Sequence, residues 1–273
     1  MPLANAFYIL KDKIKINLFY FIVILIFSIL SFFTYERSKL WADVDKLQMY
    51  WAQISPNSPR AQSSIAAMLF DHGNIEEANN FLEEAIIRLP DSALLNIRLL
   101  MQKVYSFTAI ESDFEKTAER LKQQPFDAQA IQGLRSLTEF VSDEEKASVY
   151  RYNVIDIIED LEKNSHYNKN SIFLRLMPYL KAKLYLSMGD KYGFIYNYSL
   201  ANERYADVEA GMMMVAEIGS MGFNQEALIL LDQVESIYKN QNQKNLKRSN
   251  TEYDFEVMRV REILQSRIND QKD

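Results

Sequence analysis

Residues 16 to 35 read INLFYFIVILIFSILSFFTY, twenty consecutive residues without a charge. As a helix this run is roughly 30 Å long, the thickness of the hydrocarbon core of a bilayer. A signal peptide has a shorter apolar region, about 7 to 15 residues, ending in small residues at a cleavage site. Here the run closes on Phe32, Phe33, Thr34 and Tyr35, with no A-x-A pattern. A buried core helix is rarely apolar on every face. The run therefore reads as a single transmembrane helix. Lys11, Lys13 and Lys15 precede it, and Arg37 and Lys39 follow it. The positive-inside tendency favours a short cytoplasmic N-terminus, residues 1–15, with the span crossing the inner (cytoplasmic) membrane. The C-terminal body is then extracytoplasmic, or periplasmic.

The body is acidic and helix-prone. Setting aside Lys11, Asp12, Lys13 and Lys15 leaves 28 basic against 36 acidic residues, a formal charge of −8 beyond residue 35. Nucleic-acid binding needs a basic stripe that neutralises phosphates, so no nucleic-acid partner is expected. Seven glycines and six prolines in 273 residues leave helix formers dominant. The absence of cysteine excludes disulfides and thiolate zinc sites.

Pro56 and Pro90 lie 34 residues apart, and Pro125 lies 35 further on. Periods of this size signal stacked helical repeats. The strongest unit is NSPRAQSSIAAMLFDHGNIEEANNFLEEAIIRLPDS. Gly73 separates two helical patterns, where a helix can end with positive φ at low cost. Ala66, Ala78 and Ala85 are small where helices approach closely, and Pro90 stops the second helix. A second unit is MMMVAEIGSMGFNQEALILLDQVESIY, with Gly222 at its turn and Ala227 and Leu231 beyond it. Between them, residues 105–205 carry weaker patterns. Val154, Ile155, Ile158 and Leu161 fall on one helical face. Ser142 and Glu145 have capping-box spacing. Pro178 is expected to kink its helix. A connecting helix (36–56), a repeat domain (57–238), a polar loop (239–254) and a capping helix (255–273) complete the expected order. Trp41 and Trp51 are expected to pack the first helix against the repeat or to sit at the membrane surface.

The 57–90 segment resembles a tetratricopeptide repeat on Ile65, Ala66, Leu69, Gly73, Ala78, Leu82, Ala85 and Pro90; Gln62 stands where that family often has tryptophan. The resemblance implies an all-α solenoid of antiparallel helix pairs, whose inner face takes a peptide or helix from a protein partner. It places Arg60, Ser63, Ala67 and Phe70 toward that face, followed by Ile97, Met101 and Tyr105. Residues 34–92 are also loosely similar to the C-terminal region of bacterial O-antigen polymerase and ligase-like proteins and of pilin oligosaccharyltransferases. There a polytopic part precedes extracytoplasmic repeats. That similarity implies an envelope scaffold in a glycan or pilus system. The alternative is an accessory subunit, or the split C-terminal half, of a membrane glycosyltransferase.

No catalytic constellation stands out, so no enzyme activity, cofactor or metal is expected. His72 and His166 are far apart, and no H-E-x-x-H, P-loop, G-x-G-x-x-G or G-x-S-x-G pattern occurs. The acidic clusters fit helix starts and solvated faces. The tripeptide Asn197-Tyr198-Ser199 matches a glycosylation acceptor but is common by chance.

Overall fold

The computed structural model describes residues 16–241 and 246–270, so the expected N-terminal segment 1–15 lies outside the described residues. The described residues form helices and connections, with no strand among them. The chain divides into two compact units between Met68 and Leu69.

The first unit holds α1 (Ile16–Trp41), α2 (Val44–Ile54) and most of α3 (Pro59–Asp71). Within α1, Leu18–Trp41 is long and apolar enough to cross a membrane, and its side chains are not buried. The helix runs six residues past Tyr35, so the expected boundary between span and connecting helix is not a helix end. Asp43 makes the break: its carboxylate accepts from Lys46 N at 3.1 Å and starts α2. That bond, with the Lys46 ammonium, holds the Asp43 carboxyl below its ordinary value. Trp41 and Trp51 are 68% and 44% exposed.

The second unit continues with α4 (Ile75–Arg88), α5 (Ala93–Tyr105), α6 (Glu111–Leu121), α7 (Ala128–Asp143) and a 3₁₀ segment (Glu145–Tyr150). It ends with α8 (Arg151–Lys163), α9 (Ser171–Ser187), α10 (Lys191–Tyr205), α11 (Val208–Ser220), α12 (Asn224–Asn240) and α13 (Asn250–Asp270). One turn recurs. After α3, Gly73 N donates to Phe70 O and Asn74 N to Leu69 O, both at 2.9 Å. After α9, Gly189 and Asp190 make the same pair to Leu186 and Tyr185; after α11, Gly222 and Phe223 make it to Gly219 and Ile218. This is the Schellman closure, which satisfies two orphan carbonyls and needs a left-handed residue. The three glycines have φ of 82°, 71° and 85°.

The same bonds close α5 without a glycine. Phe107 N donates to Val104 O and Thr108 N to Lys103 O, with Phe107 at φ 57°. Asp and Asn then start the following helices: Asp127, Asn170, Asp190 and Asp207 each accept from amides in the first turn.

The pair α7 and α8 departs from this pattern. The capping box expected at Ser142 and Glu145 is not formed. The apolar periodicity carries α7 through Asp143, so Ser142 falls in its last turn, and Glu144 caps the 3₁₀ segment through Lys146 N. Arg151 joins the ends instead: its guanidinium donates to Val141 O (2.9 Å), Ser142 O (3.1 Å) and Ser187 O (3.0 Å). A capping box does form at Ser249 and Glu252, with reciprocal bonds of 2.9 and 3.3 Å. It starts α13 at Asn250, so the last helix begins earlier than residue 255 and the polar connection is shorter than 239–254; residues 242–245 and 271–273 lie outside the described residues.

Helix α9 runs through Pro178. Proline cannot donate to the carbonyl four residues back, and that carbonyl, Leu174 O, accepts from Arg204 Nη1 at 2.7 Å. Burial follows the expected periodicity: Ile65, Ala66, Ala78, Leu82, Ala85, Val154, Ile155, Ile158 and Leu161 are all buried. Helices α5 and α7 meet at Gly133, where a Cβ would come within 2.7 Å of Ile97 Cγ2 and 3.2 Å of Met101 Sδ. The 197–199 tripeptide lies inside α10, with Asn197 and Tyr198 buried, so Asn197 is not presented as a glycosylation acceptor.

Ala206 closes α10 at φ 48° through one bond, Ala206 N to Asn202 O, and its side chain is exposed. Left-handed backbone costs a non-glycine residue about 1–2 kcal/mol, partly offset by glycine's greater freedom when unfolded. Ala206→Gly is therefore expected to stabilise the fold by about 0.5–1 kcal/mol in urea denaturation. A destabilised variant would mean that the turn is not left-handed.

Candidate partner-binding groove

An open concavity of about 470 Å³ is lined by Ser171, Leu174, Arg175 and Arg204, whose guanidiniums donate to Ser171 O and Leu174 O. Two more enclosed concavities in the second unit compete as sites. The larger of these two, about 330 Å³, lies between α4, α5 and α6. Its central charges are committed to one another. Lys103 Nζ is 2.8 Å from Asp113 Oδ1 and 3.6 Å from Glu83 Oε1, and Arg120 donates to Asn96 Oδ1 at 2.8 Å. These bonds tie three helices together and leave those groups little to offer a ligand.

The smaller concavity, about 160 Å³, lies where the C-terminal turns of α7, α9 and α11 converge over α10. Ser142 and Asp143 come from α7, Lys183 and Ser187 from α9, and Glu217 from α11. Tyr179 donates to Glu217 Oε1 at 2.7 Å and Tyr198 to Glu217 Oε2 at 2.8 Å. Both tyrosines are buried, while Glu217 is half-buried. Two phenols thus fix the carboxylate, yet each oxygen keeps a second lone pair. Lys183 forms no ion pair among the described residues. The Ser142 hydroxyl is buried without a hydrogen-bond partner. A fixed carboxylate, an uncommitted ammonium and an unpartnered hydroxyl therefore line one concavity.

Further charged and aromatic groups extend the site. On α7, Arg135 Nε bonds Glu139 Oε1 at 2.9 Å, which raises the Arg135 pKa. Arg135 and Glu139 both act on the Tyr179 phenol, and Glu139 acts on the Tyr105 phenol. The Tyr105 ring stands 4.5 Å from that of Phe140. Beyond Tyr179, the Arg175 guanidinium lies 5.7 Å from the Tyr205 ring.

None of the residues expected to bind a partner lines this concavity; Tyr105 stands against Phe140 of α7. Met101 and Ile97 are buried at 6% and 1% and pack against Gly133. Ser63 is buried at 4%, which leaves its side chain no surface for a partner. Arg60 is exposed, and Ala67 and Phe70 are half-buried. Arg60 and Ser63 belong to the first unit, Phe70 to the second. Sequence reasoning missed Arg135, Tyr179, Lys183 and Glu217. Two of them carried a usable signal. Tyr179 and Lys183 stand ten and six residues before Gly189, the offsets of Ser63 and Ala67 before Gly73. The unit ending at Gly189 had too irregular an apolar pattern for those offsets to be applied.

The buried phenols set a pH limit. Burial, reinforced by the Glu217 carboxylate, pushes Tyr179 and Tyr198 well above the usual tyrosine value. Burial pushes Tyr167 up to about 12. The fold favours the neutral phenol, so this stabilisation is full below the unfolded value of 10.0 and is lost as pH rises through the folded ones. In an alkaline titration these tyrosines are expected to ionise together with loss of helical circular dichroism, in one step above pH about 11. Complete tyrosine ionisation with the helix signal intact would show that the phenols are accessible. Compared with protein-family models and with the curated proteins, the chain matches none.

Proposed function

We propose that this chain is a membrane-anchored, tetratricopeptide-like scaffold. In this reading α1 crosses the inner membrane and the helical body lies on its extracytoplasmic side. The groove of α7, α9 and α11 then holds a segment of a protein partner, another membrane or envelope protein, during assembly of a glycan- or pilus-related complex. The observation that carries the reading is that uncommitted Lys183 and Glu217, the latter held by two phenols, line one groove. A space of about 160 Å³ is below the roughly 300–1,000 Å³ of small-molecule pockets and suits single side chains of a peptide. The recurrent left-handed turns support the repeat character, and the apolar length of α1 supports the anchor. Lys183 would pair with a partner carboxylate, and Glu217 would accept from a partner donor.

The groove is tested in the full-length chain in its native membrane, with a photo-crosslinking residue at Met221. A discrete protein adduct is expected, weakened about tenfold, or about 1.4 kcal/mol, by Lys183→Glu. An adduct unchanged by that substitution, or none, would count against the groove.

The absence of cysteine allows a separate test of the side. Ser165 is exposed between α8 and α9, so Ser165→Cys is expected to react with a membrane-impermeant maleimide while the inner membrane is intact. Reaction only after lysis would place the body in the cytoplasm.

A further inference from the structure

Helix α2 buries none of its side chains. Val44, Leu47, Trp51 and Ile54 recur at helical spacing and share one face. Val44, Trp51 and Ile54 are exposed, and Leu47 is half-buried. Tyr50 flanks the stripe and Trp41 precedes it. Asp45, Lys46 and Gln53 lie toward the opposite side. Such a face left in water is costly, and what covers it is constrained by α1. Only Ala42 and Asp43 separate the two helices, so α2 starts within about 11 Å of the end of α1. The candidate span Leu18–Trp41 is uncharged as far as Tyr35, and Glu36, Arg37 and Lys39 follow, so the six residues after Tyr35, as far as Trp41, carry the helix about 9 Å beyond the hydrocarbon into the headgroup layer. Tilting of α1 shortens that rise and keeps Trp41 near the membrane boundary. Tryptophan and tyrosine are the residues that favour this depth.

We propose that α2 lies in the membrane interface, with Val44, Leu47, Trp51 and Ile54 in the lipid and Lys46 and Gln53 toward water. The proposal rests on α1 spanning the bilayer, as argued above. Asp45 and Lys46 are the charged residues within α2, so the binding is apolar and does not require anionic lipid. Lying flat, α2 would turn the chain from the bilayer normal into the membrane plane before the helical body begins.

The two tryptophans make the test direct. In the full chain, Trp41→Phe leaves Trp51 as the sole tryptophan. The protein is reconstituted in phosphatidylcholine vesicles whose acyl chains are brominated near the headgroup or near the bilayer centre, with iodide as the aqueous quencher. Trp51 emission is expected to fall about twofold with shallow bromines, less with deep ones, and little with iodide. A control carries Trp41→Phe, Trp51→Phe and Phe27→Trp, which moves the probe to the middle of α1; deep bromines should quench it most. If the control behaves so while iodide alone quenches Trp51, α2 stands in water: the interfacial placement is overturned and the span survives. If Trp51 is shielded from both quenchers, protein covers the face and the proposal also falls. If bromines quench neither probe, the spanning reading fails and takes this proposal with it.

Discussion

Arg151 donates to three backbone carbonyls at once, and the groove depends on those bonds. A helix leaves its last carbonyls without intrahelical partners, at the negative end of its dipole. Val141 and Ser142 end α7, and Ser187 ends α9. One guanidinium at 2.9 to 3.1 Å from all three joins two helix ends that no glycine turn connects. Hydrogen bonds to a charged group contribute roughly 1.5–3 kcal/mol each. A lysine could not reproduce the arrangement, because its ammonium is a single point and the guanidinium is a planar fork. These terminal turns carry Ser142, Asp143, Lys183 and Ser187, so the position of Arg151 sets the separation of the groove's walls.

The two concavities differ in how their polar groups are used. In the larger one, Lys103 serves both Glu83 and Asp113, and Arg120 serves Asn96. Partly buried charges are costly unless paired and hydrogen-bonded, and here the neighbouring helices supply the partners. In the groove, Tyr179 and Tyr198 hold the Glu217 carboxylate, while Lys183 and the Ser142 hydroxyl have no such fixed partners. A polar group left half-satisfied at a concave surface is one that a second molecule can satisfy.

Legibility in the sequence followed the turn chemistry. At Gly73 and Gly222 the glycine marks the left-handed residue, and the helices on either side fall where periodicity places them. Between those turns Gly189 marks a third, and Val154, Ile155, Ile158 and Leu161 are buried as their periodicity predicts, but other signals mislead or fall silent. Phe107 occupies the same backbone position with no glycine to mark it. Ser142 and Glu145 have the spacing of a cap, but the apolar stripe through Leu137 and Val141 keeps that segment in α7. The real capping box, Ser249 and Glu252, sits in a stretch polar enough to read as loop. The long apolar helix α1 was legible because twenty uncharged residues leave few other elements possible. The groove was not, because it gathers residues from helices far apart in sequence, and none of the expected contact residues lines it.

Phe107 shows how a local rule can be broken and compensated. A phenylalanine at φ 57° bears a backbone cost of about 1–2 kcal/mol that a glycine would avoid. Its ring lies 6.0 Å from Phe140, which in turn lies 4.5 Å from Tyr105. Aromatic pairs at such separations contribute about 0.5–1.5 kcal/mol beyond the area they bury. The two magnitudes are comparable, so the ring contacts can offset most of the backbone strain. They also join the end of α5 to α7 beside Glu139, where a glycine would leave the turn relaxed but untethered. Ala206 has the same backbone signature with an exposed methyl and no ring to offset it. The same left-handed geometry is thus a structural tie at one helix end and an uncompensated cost at the other.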